Sequence, residues 1–213
     1  SQGSRLHDSR ADRDILDMFS CFASLPIGWN HPKLVEMEPL PGRIAVNNTT
    51  NSDLYSVEMA EAIDTIGRIA KPDHMSHMFF VAGGALGVEN SLKAAMDWKQ
   101  QDRSRKGLPG DDGHPEVSIA HFEEAFHGRT GYTMSLTNTD PTKTDRFAKF
   151  DWPRIPNPKI RFPLDEAESS RLAGAESEAI ESLHAAAEAN PDQIAAVIIE
   201  PIQGEGGENP VSV

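Results

Sequence analysis

The stretch at residues 194–207, IAAVIIEPIQGEGG, decides the fold of this chain. Branched apolar residues at 195–199 predict a buried strand that ends at Glu200. Pro201 and the glycines that follow predict a turn, and this turn carries a second acid, Glu205. The pattern therefore predicts a strand that delivers two carboxylates to the edge of a site.

Apolar strands and long helical patterns alternate upstream of this stretch. Strands are predicted at 76–82 (SHMFFVA) and 116–122 (EVSIAHF), and helices at 88–100 and 164–190. Strands that alternate with helices pair in parallel through crossover helices, so the predicted fold class is α/β. In the 164–190 helix, the residues expected to pack are Leu172, Ala175, Ile180 and Ala187.

The N-terminal part has weaker patterns. A short strand is predicted at 14–20, followed by prolines and glycine that turn into a short helix within 25–34. Ser52 or Asp53 is predicted to cap an amphipathic helix that lies on a core through residues at helical spacing, namely Leu54, Val57, Ala60, Ile63, Ile66 and Ile69. The proline-rich region 137–163 is too long for a plain connection and is predicted to be a structured functional excursion.

Composition limits the partners and the compartment. The 213 residues include 20 basic and 33 acidic side chains, giving a net charge of -13 that repels phosphate backbones and anionic membranes. Nucleic acid is therefore not expected as a partner. We expect a cytoplasmic protein without a membrane span, because the start has no apolar signal region and Cys21 has no internal partner for a disulfide.

Three loops are predicted to form one site, because ligands in α/β sheets bind beyond the carboxyl ends of the strands. The first loop, AGGALGVEN at 82–90, places Gly83 and Gly84 before a helix whose free N–H groups suit a phosphate. A turn that only caps the helix explains these glycines equally well. No metal site is predicted, because His74 and His77 have no further ligand at a suitable spacing.

The other two loops supply an aromatic ring and charges. In EEAFHGRTGY at 123–132, Phe126 offers a ring face and Arg129 a guanidinium that can bind a carboxylate. Taken alone, this loop fits a core Phe and a structural salt bridge better. The third loop carries Glu200, Gln203 and Glu205, and an acid between glycines is by itself most often a solvated turn residue.

Three motifs resemble the class III, pyridoxal-phosphate-dependent aminotransferases. They are FVAGGALGVENSLKAAMDWK at 80–99, EAFHGRTGYTMSLTNTDPTKTDRFAKFDWPRI at 124–155, and EPIQGEGG at 200–207. The resemblance runs over 15–208 and is strongest to members that act on the ε-amino group of lysine, since most of the class carries SGTEA where this chain has GGALGVEN. It implies the fold type I transferase architecture, a mainly parallel sheet flanked by helices, here incomplete.

The resemblance also implies roles for individual residues. Gly84 and Ala85 would give backbone N–H groups to the phosphate of pyridoxal 5'-phosphate, and Phe126 would stack on its pyridine ring. Arg129 would bind the carboxylate of L-lysine or 2-oxoglutarate. Glu205 would be a switch acid that pairs with a distant arginine in only one of the two half-reactions.

Glu200 and Gln203 would belong to the shell around the cofactor. The Schiff-base lysine, the aspartate facing the ring nitrogen and the arginine partner of Glu205 lie downstream of 200–207 in the family. No catalytic residue is therefore predicted within this chain. We expect the chain to be an N-terminal portion of such an enzyme, inactive alone.

The same resemblance predicts the domain organisation and assembly. Residues 1–45 would belong to the small domain and the dimer region, residues 46–213 would form the first part of the large cofactor domain, and the enzyme would be a homodimer. The implied reaction yields glutamate and 2-aminoadipate 6-semialdehyde. Two alternatives stay open: a class III enzyme of the ornithine or acetylornithine type, and a non-catalytic acidic α/β interaction domain.

Overall fold

The computed structural model describes residues 1–22, 24–46, 53–108 and 117–211. The chain divides into two compact units, Ser1–His77 and Met78–Val213. None of the helices within the described ranges is both long and apolar enough to cross a membrane. The predicted boundary between residues 45 and 46 stays a prediction.

The first unit contains a β-hairpin and three helices. Strands β1 (Arg5–Asp8) and β2 (Arg13–Leu16) pair antiparallel. The helices are α1 (Pro32–Glu36), α2 (Pro39–Ala45) and α3 (Val57–Ile69). The strand predicted at 14–20 is thus shorter than expected and begins one residue earlier, and the predicted short helix begins at Pro32.

Two predictions about α3 are wrong. The N-cap is Ser56, whose hydroxyl accepts a hydrogen bond from the Met59 N–H at 3.1 Å, so the helix starts later than a cap at Asp53 would place it; Ser52 lies outside the described residues. The helix buries none of its side chains, and Val57 and Ile69 are 70% and 72% exposed. The amphipathic pattern identified the helix correctly, but burial requires an apposed surface, and the described residues bury no side chain of α3.

The second unit is built on a three-stranded parallel sheet. In chain order its elements are α4 (Gly84–Arg105), β3 (Ser118–Phe122), α5 (Gly131–Leu136), α6 (Pro141–Thr144), β4 (Arg154–Ile155), α7 (Glu166–Ala189) and β5 (Ile194–Ile198). A small antiparallel pair, β6 (Ile202–Gln203) and β7 (Asn209–Pro210), follows. The sheet order is β4-β3-β5, and both pairings are parallel, as predicted.

Helices cover the two faces of β3. Ile119 and Ala120 are fully buried and point to opposite faces, as consecutive strand residues must. Ile119 packs with Leu92 of α4 and with Leu136, and Ala120 packs with Ile155 and with Ala179 of α7. Each fully buried large aliphatic side chain contributes about 1.5–3 kcal/mol. This core fixes the carboxyl ends of β3 and β5, from which two of the predicted loops start.

The strand predicted at 76–82 does not form. The segment has no strand assignment, and Phe79 and Phe80 are 78% and 46% exposed. A strand needs a neighbour for its N–H and C=O groups. The described sheets contain no strand hydrogen-bonded to this segment, so its apolar composition alone does not make it a strand.

The long helix α7 confirms the prediction at 164–190. Its N-cap is Asp165, whose carboxylate accepts a hydrogen bond from the Glu168 N–H at 2.9 Å. Ala179 and Leu183 pack with residues of the sheet, and Leu172 is also buried. Ile180, predicted to pack, is 57% exposed because it lies one residue, about 100° around the helix, from Ala179.

Candidate active site

The first and second loops meet at Gly128. Its φ of +122° is strained for any residue with a Cβ, and an added Cβ would lie 2.6 Å from Ala85 Cβ and 2.8 Å from Thr133 Oγ1. The Thr130 hydroxyl, on the same loop, also hydrogen-bonds Glu89 of α4. Glycine at 128 therefore permits the backbone of the second loop to lie against the first turn of α4.

The first turn of α4 leaves backbone donors open. Gly83 has φ of +97° and precedes the helix, and no side chain among the described residues caps its N-terminus. The amides at 84–86 have no intrahelical acceptor, because the first turn of any helix lacks them. Gly84 is exposed, and a Cβ at that position would meet nothing within 4 Å. Open amides at the positive end of a helix suit an anion.

The second loop is tied to the end of β5 by Glu200. The Phe126 N–H donates a hydrogen bond to Glu200 Oε1 at 2.8 Å, across 74 residues of sequence. Further along, the His127 N–H donates to Thr137 Oγ1 at 3.0 Å, and that hydroxyl donates to the Gly128 carbonyl at 2.7 Å. The backbone around Phe126 is thus held on both sides, while its ring is partly buried.

The third loop is attached to the second through Gln203. This side chain is 2% exposed, and its Nε2 donates to the Glu123 carbonyl at 2.7 Å. Its Oε1 accepts from Asn157 Nδ2 at 2.7 Å and from Asn209 Nδ2 at 3.0 Å. A Cβ on Gly206 would lie 2.0 Å from the Glu124 carbonyl oxygen, so this contact also requires glycine.

Arg129 and Glu205 are charged residues of these loops that are exposed to solvent. Arg129 is exposed and, within the described ranges, no carboxylate lies within ion-pair distance of it. The structural salt bridge considered for this residue is thus not formed there. Glu205 forms an ion pair with Lys143 of α6, and its Oε1 also accepts from Thr139 Oγ1 at 3.4 Å.

Sequence reasoning missed Lys143 as a partner of Glu205. The two residues are 62 positions apart and lie on different loops. The available signal was the interpretation of 137–163 as a functional excursion, combined with a lysine three residues after an N-capping aspartate. That signal identifies a segment but no partner.

Two histidines near these loops are held neutral. His121 is 1% exposed at the end of β3, and burial together with the adjacent Arg154 guanidinium lowers its pKa from 6.5 to about 4. Arg154 Nε lies 3.3 Å from His121 Nε2. Burial also lowers the pKa of His127, although the Glu200 carboxylate opposes this effect. Both rings therefore present neutral imidazole at pH 7.

The arrangement fits a phosphorylated aromatic cofactor. Open amides at 84–86 can bind a phosphate, and the ring of Phe126, fixed through its own amide, lies on the loop that contacts them. The Gly128 contact keeps this junction free of side-chain bulk. Dipole effects alone contribute about 0.3–1 kcal/mol, so the ring and the charged groups are needed as well.

The chain matches one known protein family over its whole length. The model of the family Aminotransferase class-III matches residues 1–213. The L-lysine-epsilon aminotransferase of Mycobacterium tuberculosis (strain ATCC 25618 / H37Rv) is 46% identical over 211 residues, which are 98% of this chain and 46% of that protein. The enzyme of that name from Streptomyces clavuligerus is also 46% identical, over 100% of this chain and 46% of its own length.

Solved structures agree with the fold. The lysine aminotransferase from M. tuberculosis in the internal aldimine form superposes with a TM-score of 0.88 at 46% identity, covering 99% of this chain and 48% of that one. The chain thus spans about half the length of the curated relatives it matches. Its fold is that of the fold type I, pyridoxal-phosphate-dependent transferases. Because the family model matches throughout, this chain belongs to the class III aminotransferases.

Proposed function

We propose that the complete protein transfers the ε-amino group of L-lysine to 2-oxoglutarate with pyridoxal 5'-phosphate as cofactor. The products are glutamate and 2-aminoadipate 6-semialdehyde. The observation that carries the proposal is the 46% identity to L-lysine-epsilon aminotransferases over nearly the whole chain. The meeting of the three loops at the carboxyl ends of β3 and β5 supports it, since that edge is where α/β folds bind ligands.

The cofactor is assigned to the first two loops. The amides of Gly84 and Ala85 hold its phosphate, and the Phe126 ring stacks on its pyridine ring. Glu200 and Gln203 support the second loop. Glu200 accepts a hydrogen bond from the Phe126 amide, and Gln203 donates one to the Glu123 carbonyl. When bound, pyridoxal phosphate supplies an electron sink for the carbanion that forms as a proton leaves the substrate.

The substrates are assigned to the exposed charges. Arg129 binds a carboxylate through two parallel hydrogen bonds, worth about 1.5–3 kcal/mol when shielded from water. The two substrates differ, because the reacting amine of lysine is far from its α-carboxylate whereas the ketone of 2-oxoglutarate adjoins one carboxylate and lies away from another. Glu205, on the third loop, supplies a negative charge that interacts differently with lysine and with 2-oxoglutarate.

The test uses the complete protein with its cofactor bound. Addition of L-lysine should shift the cofactor absorbance, and addition of 2-oxoglutarate should restore it. L-ornithine and 4-aminobutyrate serve as matched amines of different length. A response to ornithine with none to lysine would instead support the ornithine-type enzyme, and silence toward every amine would support a non-catalytic interaction domain.

Assembly, compartment and domain limits complete the proposal. The complete protein is a cytoplasmic homodimer in which 1–45 belong to the small domain and dimer region and 46–213 to the large domain. Exposed apolar side chains support an interface, among them Phe79 at 78% and Ile69 at 72%. Sedimentation equilibrium of the complete protein tests it, and a monomer at micromolar concentration would contradict it.

A further inference from the structure

The ion pair between Lys143 and Glu205 joins two separate segments of the candidate site. Lys143 lies on α6, within the 137–163 excursion, and Glu205 lies in the loop after β5. Their side chains are 35% and 34% exposed, so both can be reached by solvent and by solutes. A solute in the candidate site can therefore approach the charge of Glu205.

The local structure fixes the position of Lys143. The Asp140 carboxylate caps α6 by accepting from the Thr142 N–H at 2.9 Å and from the Thr142 hydroxyl at 2.8 Å. Just before this cap, the Asn138 N–H donates to the Ala125 carbonyl at 2.9 Å. The base of the Lys143 side chain is consequently anchored to the loop that carries Phe126.

We infer that Lys143 is a positioning residue that neutralises Glu205 and thereby favours the half-reaction of the dicarboxylate substrate. The inference rests on the proposed function and assigns a partner to one of its residues. In the half-reaction in which Glu205 is not paired with the downstream arginine that the resemblance implies, its bare carboxylate would repel the second carboxylate of 2-oxoglutarate or glutamate. It would attract the α-ammonium of lysine, which remains charged while the ε-amine reacts. Pairing with Lys143 removes both effects.

The experiment compares Lys143→Met with wild type in the complete holoenzyme. Single-turnover absorbance gives the half-saturating concentration of 2-oxoglutarate, of glutamate and of lysine. For the two dicarboxylates it should rise about two- to fivefold, the range of a partly exposed ion pair. For lysine it should stay the same or fall. Lys143→Arg, which keeps the charge, should restore wild-type values.

The matched control is Lys149→Met. Lys149 lies on the same excursion, pairs with Asp145 at 3.5 Å and is 30% exposed, but it contacts neither Glu205 nor the other loop residues assigned to the site. It should leave all three concentrations unchanged. In a Glu205→Gln background, Lys143→Met should also have no further effect, because the charge it neutralises is gone.

Two results would overturn the inference. One is an equal change for lysine and the dicarboxylates, which indicates a merely structural role. The other is an effect of Lys143→Met that persists in the Glu205→Gln background. Failure of the proposed function is separate, since it appears as a wild-type protein silent to lysine. The glutamate measurement still tests Lys143 in that case, and a protein silent to glutamate as well would overturn both proposals.

Discussion

The candidate site has a buried half and an exposed half, and the two halves use polar groups differently. In the buried half, the side chains of Gln203 and Thr137 hydrogen-bond backbone groups of the second loop. In the exposed half, Arg129 and Glu205 leave their charges accessible. Buried polar groups define the shape of the loops, and exposed ones remain available to substrates. Changes in the first half should therefore lower stability, and changes in the second should lower activity.

The largest effect is expected from Gly128→Val, which breaks the buried half. The new side chain overlaps Ala85 and Thr133 and must adopt φ near +122°. Strain and overpacking together should lower the free energy of unfolding by about 4 kcal/mol. Chemical denaturation of the complete protein measures it. Gly174→Ala, at a helical glycine with nothing within 4 Å, is the control and should raise stability by about 0.5–1 kcal/mol.

Acid should weaken the buried half through His121. Its folded pKa of about 4 lies below the ordinary 6.5, so the folded state favours the neutral ring. The resulting stability is full above pH 6.5 and is lost as pH falls toward 4, by about 3 kcal/mol in total. The free energy of unfolding of the complete protein should thus fall more steeply over this window than that of His121→Gln. Parallel curves for the two proteins would contradict this.

Arg129→Ala tests the exposed half. Removing the guanidinium should lower kcat/KM about 30-fold for lysine and for 2-oxoglutarate, the equivalent of about 2 kcal/mol of carboxylate binding. Bound cofactor and thermal stability should stay as in wild type. Arg68→Ala, which removes an exposed arginine paired with Asp64 at 3.5 Å, is the control and should not alter the kinetics. Unchanged kinetics for Arg129→Ala would remove this residue from the site.

The smallest effect is expected from Glu200→Gln, which tests whether Glu200 belongs to the buried or to the exposed half. Glutamine keeps an oxygen that can accept from the Phe126 N–H but loses the negative charge. The loss of charge assistance should cost about 1 kcal/mol of stability. Amide hydrogen exchange at Phe126 should speed up by about fivefold in the complete protein. A loss of activity without faster amide exchange would assign Glu200 to the exposed half instead.

Local patterns predicted the second unit well. The helices α4 and α7 and the strands β3 and β5 follow from periodicity within each element, although β5 ends at Ile198 instead of Glu200 and is only partly buried. The segment 76–82 and the face of α3 were predicted wrongly for one shared reason. Pairing and burial depend on partner surfaces that the local sequence does not encode.

Contacts within the site were the least predictable part. Glycine at 128 and 206 was visible in the sequence, but its cause is a close approach by Ala85 and Thr133 at the first position and by the Glu124 backbone at the second. The pair of Lys143 with Glu205 spans 62 residues, and single-sequence patterns carry no information at that separation. The loops that carry Phe126 and Glu205 were nevertheless identifiable, because they follow predicted strands. The position of a motif is thus easier to infer from the sequence than the contact partner of a side chain.

The hydrogen bond from the Phe126 amide to Glu200 has a consequence for protein engineering. Since the bond uses the main chain, proline is the one standard residue that would remove its donor at position 126. The ring at this position can therefore be exchanged for tyrosine, tryptophan or an aliphatic group without detaching the loop. Residue 126 is therefore a suitable position for a saturation library that tests the proposed contact with the cofactor while the loop stays attached.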